Sequence, residues 1–182
     1  MKLTIREIAF AGMGAALITL CSWISIPMTV PITLQTFAVC LVTALFGLKL
    51  GLVTVAAYLA LGAAGVPVFS GFRGGIGALL GVTGGYLAGF LFTALAVGLA
   101  VGKFGKKTPA LVISMAVGIL LCYAFGTAWF VAVYNRGSGT MGVLSALSLC
   151  VFPYLLPDAV KIAMAALLTK RLEPVINGGG EQ

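Results

Sequence analysis

The chain alternates long apolar runs with short links that carry most of its glycine, proline and basic residues. The runs predict six transmembrane helices, over about residues 8–26, 33–48, 50–64, 79–101, 110–134 and 142–169. A helix needs ~20 mostly apolar residues to cross the hydrocarbon core. The second and third runs fall short of that, so a single re-entrant hairpin over both is the alternative reading. The links include the proline-bounded PMTVP at 27–31 and the glycine-rich GVPVFSGFRGGIG at 65–77, whose GFRGG reads as a mobile external loop. The first run follows MKLTIRE directly and is long enough to span, so it is not read as a cleavable signal peptide.

Charge orients the set. With six crossings, Lys2, Arg6, Lys49, Lys103, Lys106, Lys107, Lys170 and Arg171 share one side, Arg73 and Arg136 take the other, and Lys161 lies within a span. Basic residues concentrate on the cytoplasmic side, which places both termini there. The hairpin alternative leaves the second and third runs uncrossed but keeps the same sides for everything else, so the bias does not exclude it. The predicted fold is an all-α integral membrane protein of the plasma membrane, with one domain over residues 1–176 and a flexible tail over 177–182.

Composition strengthens the membrane reading. Of the 182 residues 61% are hydrophobic and 8% charged, against about 25% charged in soluble domains. A soluble fold of this size has no means of hiding that much apolar surface. The formal net charge of +7 does not imply a nucleic-acid partner, because the basic residues are scattered between apolar runs. Cys21, Cys40, Cys122 and Cys150 stand far apart in apolar segments, without a CxxC spacing, and the chain has no histidine. They read as small buried hydrophobes, and neither a metal nor a cofactor is expected.

Against this background two ionisable residues stand out. Asp158 and Lys161 interrupt the apolar run PYLLPDAVKIAMAALL. Each costs roughly 2.5–3.5 kcal/mol at a helix centre. The i, i+3 spacing places both on one face, which should turn toward the bundle or a wet cavity. They read either as a self-neutralised packing lock or as a recognition point for a small ligand with donors and acceptors. Pro153 and Pro157 each remove a backbone donor and free a carbonyl one turn earlier, and such backbone is tolerated where it lines a cavity.

A second candidate is the glycine-rich stretch 65–90. Its GVTGGYLAGF reads as a helix entrance where backbone meets ligand, with Gly84 and Gly85 beside Tyr86, an aromatic ring with a hydroxyl handle. Arg73 is positioned to meet a carboxylate or to anchor the loop at the interface. Gln35 opens the second run and reads as an amide partner or a helix cap. Trp23 and Trp129 near span ends read as an aromatic belt. Finally, AFAGMGAAL at 9–17 sets Ala11 four residues from Ala15 and Gly12 four from Ala16. Such small strips allow close helix approach in lipid, either within the chain or against another membrane protein.

Enzymatic chemistry needs placed acids, bases, nucleophiles or metals. Here there are four carboxylates, of which only Asp158 is at membrane depth. No phosphate loop ending in Lys-Ser/Thr exists, and residues 1–90 and 91–182 show no repeat of the kind common in secondary transporters. The reading is a membrane-embedded binder, not an enzyme, that draws any energy from partners.

The motifs GVPVFSG, GVTGGYLAGF and P-x-x-x-P-D-x-x-K, in this order along nearly the whole chain, resemble the BioY family, the biotin-specific substrate-binding (S) components of energy-coupling factor (ECF) transporters. The resemblance implies six transmembrane helices with the vitamin site near the external face, under loops that close over it. It implies that Asp158 and Lys161 help hold biotin and that Tyr86, with Gly84 and Gly85, lines the site. It also implies that Ala11 and Ala15 dock the transmembrane coupling (T) component, with two cytoplasmic ATPase subunits as further partners. Many relatives read Gly-Pro-Thr where this chain has Gly81, Val82 and Thr83, a change expected to alter loop stiffness without abolishing the site. Arg73 and Gln35 match no family position and rest on local chemistry. The alternatives are an S component for thiamine or riboflavin, and a scaffold subunit without ligand.

Overall fold

In the computed structural model, residues 3–137 and 139–178 are described. Seven α-helices are seen among them, besides a short 3-10 turn at Ser70–Phe72: α1 (Ile5–Trp23), α2 (Gln35–Ala63), α3 (Ile76–Leu80), α4 (Gly84–Phe104), α5 (Thr108–Gly137), α6 (Val143–Cys150) and α7 (Phe152–Gly178). Five of them, α1, α2, α4, α5 and α7, are long and apolar enough to cross a membrane. Leu144, Leu156, Ile113 and Leu167 are exposed although large and apolar, the surface expected where the solvent is lipid.

The second and third predicted runs become the two arms of α2. They meet at Gly47, whose φ of 78° is open to glycine and costly for other residues. A continuous helix would hold Gln35 and Tyr58 roughly 35 Å apart. Instead the Gln35 amide donates to the Tyr58 hydroxyl at 2.5 Å, so the chain folds back at Gly47. The tip of this hairpin stands at the end of the bundle where α1 begins and α4 ends. Lys49 pairs with Glu7 at 2.9 Å, and the Lys106 ammonium donates to the Leu45 carbonyl at 3.1 Å. α1 starts there behind a complete capping box, with Thr4 and Glu7 each satisfying the other's backbone N–H.

Two predicted runs are broken at the opposite end. The fourth divides into α3 and α4 around Gly81–Thr83. The sixth divides into α6 and α7 at Val151, whose φ and ψ are −127° and −56°. Pro153 therefore sits in the first turn of α7, where a missing N–H is harmless, and only Pro157 lies inside a helix at the depth of the site. The link at 27–31 is the tip of a small antiparallel ribbon, β1 (Ser25–Ile26) and β2 (Ile32–Thr33), with Ser25 opposite Thr33. Of the predicted tail, residues 177–178 continue α7, and 179–182 lie outside the described residues.

Ala11 and Ala15 require a correction. Both are buried within the chain, at 6% and 3% exposure, on the side of α1 that packs on the α2 hairpin. Gly14, between them, faces Val42, Phe46 and Thr54. The small residues that α1 leaves outward are Ala9, Gly12 and Ala16. The reason is geometric: on a 3.6-residue helix, positions 11 and 15 share a face with 14 and 18, and Ile18 is wholly buried.

Candidate binding site

Near the end of the bundle opposite the hairpin tip, α2, α4, α5 and α7 enclose a cavity of about 230 Å³. One wall holds Asp158 and Lys161, at 4% and 6% exposure. The Lys161 ammonium lies 2.6 Å from Asp158 Oδ1. The same oxygen accepts from the Thr36 hydroxyl at 3.0 Å, while Oδ2 accepts from the Tyr123 hydroxyl. An ionised carboxylate offers about four acceptor positions and an ammonium three donors. The chain uses three of the former and one of the latter, so the pair retains about one acceptor and two donors. A charge at this depth is held because three donors, from Thr36, Tyr123 and Lys161, converge on it.

The remaining wall is largely apolar with polar tips. Tyr86, Leu87 and Phe90 come from α4, Cys122 from α5, Cys150 from the end of α6, and Tyr154 from α7. The Tyr86 hydroxyl is 3.0 Å from Thr127 Oγ1. Cys122 donates to the Tyr86 carbonyl at 3.4 Å.

Two segments cover the cavity. The first is the β1–β2 tip, whose Val30 carbonyl accepts from the Tyr154 hydroxyl. The second runs from Phe69 to Thr83 and is fastened at several points. The Val68 carbonyl accepts from Ser22 at 2.6 Å and from Tyr58 at 3.1 Å, the Gly62 carbonyl accepts from the Gly75 N–H at 2.7 Å, and the Gly81 carbonyl accepts from the Trp129 indole at 3.0 Å. Trp23 donates to the Pro67 carbonyl at 3.0 Å and packs against Phe72 with the two rings tilted, their centroids 4.9 Å apart. Beyond any role at the membrane interface, then, both tryptophans hold the cover. GFRGG, read as a mobile loop, is tied at its centre and at its last residue: Phe69 N–H reaches the Arg73 carbonyl at 2.9 Å, and Gly75 reaches Gly62.

Of the residues singled out in the sequence, Asp158, Lys161, Tyr86, Gln35 and Arg73 line this one cavity. Arg73 is exposed at its rim. The Gln35 amide is engaged by the chain itself: it donates to Tyr58, and its oxygen accepts from Thr33 at 3.0 Å. Gly84 and Gly85 stand behind the wall. A Cβ at Gly84 would strike the Leu79 carbonyl, and one at Gly85 the Cβ of Trp129, so these two set the approach of α3 and α5 to α4. Thr36, Tyr123 and Tyr154 escaped the sequence reading. The signal available for the tyrosines was the one used for Tyr86, a hydroxyl inside an apolar run.

Among known families, a model described as the BioY family matches residues 1–178. The chain is 39% identical over 170 residues to a biotin transporter BioY of Thermotoga maritima, covering 92% of this chain and 96% of that one. It is 36% identical over 169 residues to a probable biotin transporter BioY of Pyrococcus horikoshii, with coverage of 92% and 96%. The structure superposes on the crystal structure of the S-component for biotin from an ECF-type ABC transporter with a TM-score of 0.82. That match has 26% identity and covers 94% of each chain.

Proposed function

Because the chain belongs to the BioY family of transporters and is not an enzyme, we propose that its cavity binds biotin and that it serves as the substrate-capturing S component of an ECF-type importer. The observation that carries this reading is the Asp158–Lys161 pair, buried yet facing the cavity rather than sealed within the protein. Biotin's ureido ring presents two N–H donors and one carbonyl. The pair's unused acceptor takes one N–H, and the free Lys161 donors take the carbonyl. The bicycle lies against Tyr86, Phe90 and Leu87, a largely apolar wall with few polar groups, as small-ligand sites require. Arg73 at the rim meets the valerate carboxylate.

In this proposal the two arms of α2 both cross, which makes six crossings, and both termini are cytoplasmic in the plasma membrane. The length of the hairpin supports the crossing: its tip reaches Glu7 and Lys106, while its first turn touches Asp158 near the other end of the bundle. A T component docks on the outward face of α1 around Gly12 and Ala16, and two ATPase subunits supply the energy for uptake.

The test is calorimetry on detergent-solubilised protein with a panel of biotin, thiamine and riboflavin. Biotin alone should bind, and Asp158→Asn should weaken it by roughly 1–3 kcal/mol, the range for stranding a buried partner. Binding of another vitamin in preference, or unchanged biotin affinity in the variant, rejects the assignment.

A further inference from the structure

At the end of the bundle far from the cavity, where α4 stops and α5 starts, a groove opens between the two helices. Lys103 and Lys107 stand on its rim, Ala100 and Ala110 leave space on its floor, and Phe104 and Ile113 form its sides. Phe104 and Ile113 are exposed, at 55% and 64%. Lys103 lies over the Phe104 ring at 5.4 Å. Three carboxylates lie among the described residues and each is paired elsewhere: Glu7 with Lys49, Asp158 with Lys161, and Glu173 with Lys170. Within those residues, the counter-charge for Lys103 and Lys107 does not come from this chain.

We infer that this groove binds one phospholipid with a net anionic headgroup, held through its phosphate by Lys103 and Lys107. The order of residues along the helices argues for a lipid over a free anion. Lys103 lies in the last turn of α4 and Lys107 directly before α5, while Ala100, Ala110 and Ile113 follow three to six residues further into the two helices, so charge gives way to an apolar channel in the direction an acyl chain runs. A free phosphate gains nothing from that floor, and a zwitterionic lipid brings its own cation against two ammoniums. Basic pockets between transmembrane helices are suited to anionic headgroups, at about 1 kcal/mol, or about five-fold in affinity, for each basic residue. The inference is independent of what the cavity binds.

Native mass spectrometry of the delipidated full chain, titrated with phosphatidylglycerol or phosphatidylcholine, tests it. The expected result is one retained phosphatidylglycerol, with affinity falling about five-fold for each of K103Q and K107Q and unchanged in K170Q. Ala110→Trp should also expel the lipid by filling the floor while both charges remain, and it stands in if the lysine variants fail to fold. Equal retention of phosphatidylcholine, equal phosphatidylglycerol retention by the double lysine variant, or competition by inorganic phosphate at comparable concentration would each overturn the proposal.

Discussion

The Tyr123 hydroxyl on α5 donates to Asp158 Oδ2 on α7, and Thr36 in the first turn of α2 donates to the other oxygen at 3.0 Å. One carboxylate thereby gathers three helices at the cavity wall. The hydroxyls fix its rotamer, and Lys161 supplies the counter-charge, so the pair is presented to a ligand already oriented. Such preorganisation lowers the ordering cost of binding.

Tyr123→Phe keeps the ring and removes the donor. A hydrogen bond to a charged group contributes roughly 1.5–3 kcal/mol, and the carboxylate retains its other two donors. Biotin affinity should fall by about ten-fold in calorimetry, the low end of that range. An unchanged affinity would show that Tyr123 does not position Asp158 for the ligand.

Removing one member of a buried ion pair costs about 3–5 kcal/mol because the other charge is left without compensation. Lys161→Met should therefore destabilise the protein strongly. Adding Asp158→Asn should return much of the loss, since the amide oxygen still accepts from one of the two hydroxyls of Thr36 and Tyr123 and its NH2 group donates to the other. Thermal unfolding of the two single variants and the double variant gives the coupling. Additive effects would contradict the contact.

The two faces of α1 are predicted to respond differently to bulk. Ala11→Trp overpacks the contact with the α2 hairpin and should cost about 1–3 kcal/mol in stability. A Cβ at Gly12 would meet nothing within 4 Å, so Gly12→Trp, with Ala16→Trp, should fold and bind biotin normally. That double variant should fail to co-purify with the T component, and full recovery of the complex would remove the docking role from this face.

Trp129→Phe releases the Gly81 carbonyl and loosens the α3–α4 turn over the cavity. A net loss of about 1 kcal/mol is expected for one neutral hydrogen bond. Hydrogen exchange should quicken over residues 76–83 and stay unchanged in α7. Uniform exchange across the chain would show that the indole does not fasten the cover.

Much of the candidate site's lining was legible in the sequence, for a definite reason. Charges in an apolar run are costly enough that Asp158 and Lys161 announce themselves, and their spacing alone pairs them. Tyr86 was found through its hydroxyl. Tyr123 was equally visible by type, but its partner lies 35 positions away and that of Thr36 122 away, separations no local pattern conveys. The sequence did not show which small residues of α1 face outward, because α1 carries small residues on both its inner and its outer faces. In a lipid-facing helix apolar character does not mark the inward side, so periodicity offered no choice between Ala11 with Ala15 and Gly12 with Ala16.

By itself, then, the order of residues determined that the chain lies in a membrane, where its apolar runs fall, which ends carry basic charge, and that one ion pair must be sheltered. These follow from transfer free energies, which act residue by residue. Only the tertiary structure decided that α2 folds back at Gly47, which face of α1 is buried, and that hydroxyls from α2 and α5 meet Asp158 beneath a fastened cover. Those outcomes depend on packing between segments remote in sequence, where shape and the pairing of buried polar groups choose among arrangements that hydropathy leaves equal.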